Sequence, residues 1–255
     1  ISGGVRFDTR NENGKNLWLN DVGEKSNSAT AIHPFAAFDK NYQGFSGSVG
    51  AAYQITRNYF TKLNIAKGYR APNIAEITSN GVHEGSLNFV KGSANLKPEN
   101  SYQVDYIFGI NTLHVTAETN IFYNQIKHYI YLHKLQNSNG SDLLTDGYKT
   151  FQYTAGNAQL YGGEFSVDIH PPYDWLHFEN SFSFVQSVQK NQPDSMKYLP
   201  LTPAPKLHSE LKIDKKKLGK TFTNLYFKIG LENYLKQNKF YAAYNTETET
   251  PGYSI

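Results

Sequence analysis

The sequence has 255 residues, a formal net charge of +3, no cysteine and an aromatic content of 15%. No apolar run approaches the roughly 18 residues that a membrane-spanning helix needs, so a helical membrane protein is excluded. The small charge gives no support for a nucleic-acid partner, and the lack of cysteine excludes disulfides and thiolate metal sites. The one basic run, Lys215 to Lys217, is interpreted as a solvated turn.

A period-two alternation of apolar and polar residues predicts β-strands along most of the chain. The first strand is expected at about residues 4–10, and a polar loop then continues to about Lys40. Two strands follow at about 42–55 and 59–69, joined by a short connection near Arg57. Six more are predicted at about 101–110, 113–123, 161–169, 176–184, 207–213 and 225–231, with long loops at about 132–159 and 190–205.

The lengths of the connections alternate strictly between short and long. Short connections fall near residues 56, 111, 172 and 216, and long polar loops separate them. Brief turns at one end and long loops at the other are typical of an outer-membrane β-barrel. We therefore predict an all-β fold, an antiparallel up-and-down transmembrane β-barrel, of which about nine strands are visible. A soluble β-sandwich and a repeat adhesin are the alternatives.

One face of each predicted strand is apolar, and we expect this face to contact lipid. The residues expected on it are Phe45, Val49, Leu63, Ile65, Val104, Phe108, Val115, Phe165, Phe182 and Leu225. Because side chains alternate between faces, a register error of one residue would turn a whole strand over.

The segment from Tyr69 to Asn100 is a long connection between two predicted hairpins. Pro72 ends the preceding strand, and a short helix is predicted from Asn73 to about Ile77. Asn80-Gly81 is interpreted as a turn, and Pro98 stands where a new strand begins. A loop of about thirty residues in a compact protein is usually functional.

This segment resembles the conserved loop of TonB-dependent outer-membrane receptors. The motifs YRAPN, NGVHEG and GSANLKPEN occur in the order that the family shows, although Ser93-Ala94 replaces its frequent Asn-Pro. The resemblance implies a barrel of about 22 strands that encloses a plug domain. Residues 1–255 would then be a fragment of that barrel domain, incomplete at both ends and lacking the final strands.

The resemblance also implies a function and partners. The receptor would bind an extracellular ferric chelate or haem and import it with energy from a TonB complex, which acts through an N-terminal segment and the plug. Its other partner would be the outer-membrane lipid of a Gram-negative bacterium. No intrinsic cofactor is implied, because the iron chelate or haem is cargo. Uptake of zinc, cobalamin or an oligosaccharide, or a role as a structural or adhesive surface barrel, remain alternatives.

No enzyme motif is recognisable in the sequence. A Ser-His-Asp arrangement, paired carboxylates and a phosphate loop are all missing at the required spacings. We therefore expect a protein that is not an enzyme.

His83 is the best candidate ligand, because imidazole suits iron, copper or zinc and Glu84 adds an oxygen ligand. Tyr69 and Arg70 complete the predicted ligand-binding set. In the resemblance to haem receptors, His83 occupies a place between YRAP and SANL. The alternative is that His83 only holds the loop.

A second hypothesis concerns Arg70 and Glu99, which end and begin the two strands beside the loop. Both side chains are expected to point into the lumen, so a two-point guanidinium–carboxylate contact would pin the base of the loop. Binding of an anionic chelate by Arg70 is the alternative. His33, His128 and His133 are expected at the same end, and His114, His170 and His208 on the lumen wall at the opposite end.

Overall fold

The computed structural model describes residues 1–20, 22, 24–27, 32–35, 37–173, 175–215, 225–245 and 247–255, and for residues 32–35, 215 and 245 the backbone alone. The turn predicted at Lys215 to Lys217 therefore lies mostly outside the described residues. Lys215 itself ends a strand.

Strands dominate the described part of the chain. They are β1 (Ser2–Gly14), β2 (Leu17–Leu19), β3 (Ile32–Phe35), β4 (Phe38–Gln54), β5 (Tyr59–Arg70), β6 (Asn80–His83), β7 (Asn88–Lys91), β8 (Glu99–Asn111), β9 (Val115–Lys134), β10 (Leu144–Thr145), β11 (Tyr148–Ile169), β12 (Leu176–Gln189), β13 (Lys206–Lys215), β14 (Leu225–Tyr234) and β15 (Tyr253–Ser254). The α-helix α1 spans Ile74–Thr78, and 3-10 helices span Asp194–Met196 and Ala243–Asn245. No helix in these residues is long and apolar enough to cross a membrane.

The main sheet is an antiparallel meander in sequence order. Its path is β1-β4-β5-β8-β9-β11-β12-β13-β14-β15, and every pair along this path is antiparallel. Among the described residues the sheet does not close on itself, as expected of part of a barrel. The predicted all-β up-and-down architecture is confirmed.

Strand register places the ten predicted lipid-facing residues on a single face. Val49 is opposite Ile65, which is in turn opposite Val104, and Phe165 is opposite Phe182. Directly opposite residues in an antiparallel sheet share a face. Large apolar side chains along this face remain exposed to the surroundings, as a surface that meets lipid requires.

The opposite face is polar and its side chains bond to one another across the strands. Asn64 Nδ2 donates to Asp105 Oδ2 over 3.1 Å, and Gln103 Nε2 donates to Asp105 Oδ1 over 2.7 Å. Asn124 Nδ2 donates to Gln103 Oε1 over 3.3 Å. This face is the lumen side of the wall.

Short and long connections alternate as predicted wherever the structure describes them. Residues 55–58, 112–114 and 170–175 form short connections at one end of the sheet. Residues 15–37, 71–98, 135–147, 190–205 and 235–252 form long ones at the other end. The connection between β13 and β14 falls outside the described residues.

Several predicted loop boundaries are wrong. The loop expected at 132–159 covers only 135–147, because β9 and β11 continue for 20 and 22 residues. The loop expected to end at Lys40 stops earlier, at β4, and β1 continues to Gly14. In the outer parts of these strands the apolar alternation disappears although the backbone ladder continues.

The prediction of a turn at Asn80-Gly81 is also wrong. Both residues lie in β6, which pairs with β7 from Asn80 opposite Lys91 to His83 opposite Asn88. The turn of this hairpin falls at residues 84–87, four residues later than the Asn-Gly signal suggested.

The register predicts that two neighbouring substitutions in β5 affect stability to different extents, because the two side chains lie on opposite faces of the sheet. Ile65→Arg places a charge on the apolar face and is expected to destabilise the folded receptor by about 2–4 kcal/mol, the cost of an arginine facing the middle of a bilayer. Ala66→Arg, on the polar face opposite Ser48 and Gln103, is the matched control. Urea unfolding in lipid vesicles measures both. Equal destabilisation by the two variants would contradict the register.

Candidate functional site at the long-loop end

The segment between β5 and β8 begins with a helix whose first turn is capped by its own sequence. Asn73 Oδ1 accepts the Glu76 backbone N–H over 2.9 Å, and Glu76 Oε2 accepts the Asn73 N–H over 2.8 Å. This reciprocal capping box satisfies two donors that a helix start leaves free. A helix of only five residues can therefore form directly after Pro72.

Arg70 contacts two carboxylates at the base of this segment. Its Nε lies 2.7 Å from Glu99 Oε2 and its Nη2 lies 2.8 Å from Glu99 Oε1, a two-point contact. Its Nη1 lies 2.9 Å and 3.1 Å from the two oxygens of Glu76. The structure thus brings Arg70 and Glu99 together as expected, and adds Glu76, which the sequence had not indicated.

Glu99 extends the network to the next strand. Its Oε1 also accepts the backbone N–H of Ile130 in β9 over 2.7 Å. The Glu76 and Glu99 side chains are about nine-tenths buried, so each needs the bonds it makes. One arginine consequently ties together β5, β8, β9 and the start of α1.

The middle of the segment packs closely against α1. The Gly92 N–H donates to the Ser79 carbonyl over 2.6 Å, and the Ser93 N–H donates to the Glu76 carbonyl over 2.9 Å. A Cβ at Gly92 would lie 2.3 Å from the Ile77 carbonyl oxygen, so only glycine fits there.

The β6–β7 hairpin crosses the rim and joins a distant strand. β7 pairs in parallel with β11, from Phe89 opposite Thr150 to Lys91 opposite Gln152. Thr150 is fully buried, and Phe89 and Val90 are buried as well. Residues 71–98 therefore form a folded cap over the long-loop ends of β8 and β9, which lie between β5 and β11 in the sheet.

Tyr69 lies in a packed cluster beneath this cap. It packs against Tyr42, Ala71 and Ile77, which are all buried. A Cβ at Gly44 would lie 2.1 Å from the Tyr69 ring, so the ring lies flat against that glycine. The position of Tyr69 suits support of the cap better than contact with a solute.

His83 and Glu84 lie at the outer tip of the β6–β7 hairpin, and both are exposed. Ser86 Oγ lies 3.3 Å from His83 Nδ1. Leu87 adopts a φ of 51°, which turns the chain back into β7. In the described part of the chain, no group of three candidate metal ligands includes His83 or Glu84.

The other histidines predicted at this end have separate places. His128 Nδ1 lies 3.2 Å from the Pro98 carbonyl, where β8 begins. His133 Nδ1 lies 3.5 Å from the Tyr244 hydroxyl, and burial lowers the pKa of this histidine. The side chain of His33 lies outside the described residues.

A second long loop, between β14 and β15, attaches to the same rim through Tyr244. The Lys134 N–H donates to the Tyr244 hydroxyl over 3.1 Å, and Lys134 Nζ lies 4.4 Å from the centre of its ring. Phe151 meets the ring edge-on at 5.9 Å between centroids. Burial raises the pKa of Tyr244, which keeps its hydroxyl protonated at neutral pH.

The contacts of Arg70 predict that Arg70→Lys loosens the cap. An ammonium cannot reproduce the planar contacts to two carboxylates, and a loss of about 1–2 kcal/mol would speed proteolytic cleavage between residues 73 and 97 roughly five- to thirtyfold. Arg6→Lys, at an exposed arginine–aspartate pair, is the control. An unchanged cleavage rate in Arg70→Lys would refute the role of Arg70 as a pin.

Comparison with known proteins places this geometry in a family. The model of the TonB dependent receptor-like β-barrel family matches residues 1–255. A comparison with curated protein sequences finds no match.

Solved structures share the fold at low sequence identity. The copper transporter OprC superposes with a TM-score of 0.73 and 16% identity over 99% of this chain and 35% of that chain. The FrpB iron transporter from Neisseria meningitidis superposes with a TM-score of 0.62 and 11% identity, over 99% of this chain and 34% of that chain. The ferric yersiniabactin uptake receptor FyuA from Yersinia pestis superposes with a TM-score of 0.62 and 14% identity, over 99% of this chain and 33% of that chain. The chain thus spans about a third of the length of these structures.

The whole-length family match agrees with the antiparallel meander, the alternating connections and the capped long-loop end. The chain belongs to the TonB-dependent receptor-like β-barrel family.

Proposed function

We propose that this chain forms part of the barrel wall and outer cap of an outer-membrane receptor that imports a ferric chelate or haem. Energy would come from a TonB complex, acting through a plug domain and an N-terminal segment outside this chain. The apolar strand face would contact outer-membrane lipid of a Gram-negative bacterium. The role is binding and transport, and no enzymatic step is part of it.

The observation that carries this proposal is the folded cap over the strand ends. Residues 71–98 are held by the Arg70 network at one end and by β7 on β11 at the other. Binding energy is not spent on ordering a segment that is already folded. A surface barrel with a purely structural role has no need for a cap organised in this way.

The hairpin tip is the part of the cap that fits solute capture. His83 and Glu84 are exposed there and supply imidazole and carboxylate groups, which suit an iron centre or the polar groups of a chelate. Arg70 suits this role less, because its Nε, Nη1 and Nη2 are all engaged by Glu76 and Glu99. We therefore assign the capture contact to the tip and the supporting contact to Arg70.

The solutes named for the similar structures add a further candidate for the solute that this receptor imports. FrpB is described as an iron transporter, FyuA as a ferric yersiniabactin uptake receptor and OprC as a copper transporter. Copper therefore joins zinc, cobalamin and oligosaccharides as an alternative cargo. An adhesive surface barrel is the alternative from a different class.

Growth under limitation tests the proposal and its alternatives. A strain lacking the receptor is expected to grow more slowly than its parent when a ferric chelate or haem is the sole iron source. Parallel cultures limited for zinc and for copper test the other metals. Unchanged growth in all conditions would refute metal uptake.

The assignment of the tip predicts the effect of two substitutions in the intact receptor. His83→Ala and Glu84→Gln are each expected to weaken binding of the transported iron source about tenfold, because each removes a contact worth about 1.4 kcal/mol. Glu249→Gln, at an exposed glutamate of another long loop, is the matched control. Binding is measured by radioactive iron retained on whole cells. Full binding in both tip variants would place the capture site elsewhere.

A further inference from the structure

Three side chains that commonly bind metals meet at the short-connection end of β11 and β12, opposite to the cap. They are Asp168 at the end of β11, His170 in the connection and His177 near the start of β12. One potential ligand atom from each lies within 4.8 Å of the others. All three are half-buried, so they are neither solvated surface groups nor enclosed core groups.

The register explains why these residues share the lumen side. Asp168 is opposite Glu179, and His177, two residues before Glu179, is opposite Lys212. Residues two apart on a strand share a face, and the apolar residues Phe165 and Phe178 occupy the other face of these strands. The connection at Pro171-Pro172 then returns His170 toward His177.

The two histidines face each other through the same kind of nitrogen. His170 Nδ1 lies 3.1 Å from His177 Nδ1, and the rings are nearly perpendicular at 89°. On the other side of its ring, His170 Nε2 lies 3.1 Å from Asp168 Oδ2. A carboxylate accepts only, so the neutral imidazole of His170 donates from Nε2 and presents a bare lone pair at Nδ1.

A histidine that donates to a carboxylate and offers its other nitrogen has the usual arrangement of a metal-bound histidine. Two nitrogens bound tetrahedrally to one ion at about 2.0–2.1 Å would lie about 3.3 Å apart, close to the separation of the two Nδ1 atoms. His177 needs only to carry its proton on Nε2 to present a second lone pair. The spacing of the two Nδ1 atoms therefore suits binding to a single ion.

The surroundings hold His170 in place and do not repel a cation. The His170 N–H donates to the His114 carbonyl over 2.8 Å, and His114 Nδ1 lies 3.0 Å from the His170 carbonyl. Lys212 is the nearest basic residue by register, and its Nζ is engaged by Asp214 at 3.4 Å. Asp168 Oδ1 is buried and has no hydrogen-bond partner among the described residues.

We propose that His170 and His177 bind a divalent transition metal ion at this site, with Asp168 orienting His170 through its Nε2–H. Water would complete the coordination from the lumen side. The ion would link the end of β11 to the start of β12 across the connection. This site lies at the other end of the strands from His83 and does not depend on which solute the receptor imports.

Zinc binding to the intact receptor tests this site. The receptor in detergent micelles is stripped with a chelator, and bound zinc is measured by equilibrium dialysis without any transported solute. His177→Gln is expected to lose one equivalent of bound zinc relative to the parent. Asp168→Asn is expected to keep that equivalent with affinity lowered about 10- to 100-fold, the usual effect of losing the group that orients a ligand.

A matched control separates this site from the other histidines of the lumen wall. His208→Gln, in β13 and 3.7 Å from Glu232, is expected to bind as much zinc as the parent. If His177→Gln also binds as much zinc as the parent, the two rings form a histidine pair without a metal and the proposal is wrong. A loss in His208→Gln equal to that in His177→Gln would refute it as well. Because no solute is present, neither outcome bears on the growth and uptake experiments.

Discussion

The chain depends on one constraint, the inability of lipid to accept or donate hydrogen bonds. Every backbone N–H and C=O within a membrane must find its partner in the protein, and strands can do this only in continuous ladders. The pairing of β1, β4, β5, β8, β9, β11, β12, β13 and β14 in sequence order meets this requirement inside the sheet, whereas the outer edge of β1 has no strand beside it among the described residues. Such a ladder needs only short connections on one side. The long segments are free to collect at the other side of the sheet.

At that side the requirement changes from pairing the backbone to holding a long segment in one shape. The cap does this with few groups: one arginine shared by Glu76 and Glu99, a capping box at Asn73 and a parallel three-residue ladder between β7 and β11. Each carboxylate also accepts a backbone N–H, from Asn73 or from Ile130. Burial of these carboxylates is tolerated because every one of these bonds is charge-assisted. The exposed hairpin tip is thereby carried on a rigid base.

The sequence predicted the strands well where apolar and polar residues alternate and poorly where they do not. Period-two alternation located the nine long strands and the shared face of Ile65 and Val104, because one side of each strand is apolar and the other is polar. It failed for the outer half of β11, where β7 and a neighbouring loop cover residues such as the fully buried Thr150 and the apolar alternation is lost. The meeting of Arg70 with Glu99 followed from strand adjacency alone. Glu76 and the pairing of β7 with β11 did not, since both depend on the path of a loop in three dimensions.

The two ends of the strands differ in how they use polar side chains. At the long-loop end, charged groups satisfy one another, and the exposed His83 and Glu84 stand apart on a hairpin tip. At the short-connection end, Asp168, His170 and His177 are pressed together by the register of two strands and a tight connection. A cluster fixed by strand register is more rigid than one on a loop, because each ladder bond restrains the side chains beside it. The proposed metal site therefore lies at the more restrained end of the strands, and the proposed capture site lies on the exposed hairpin tip.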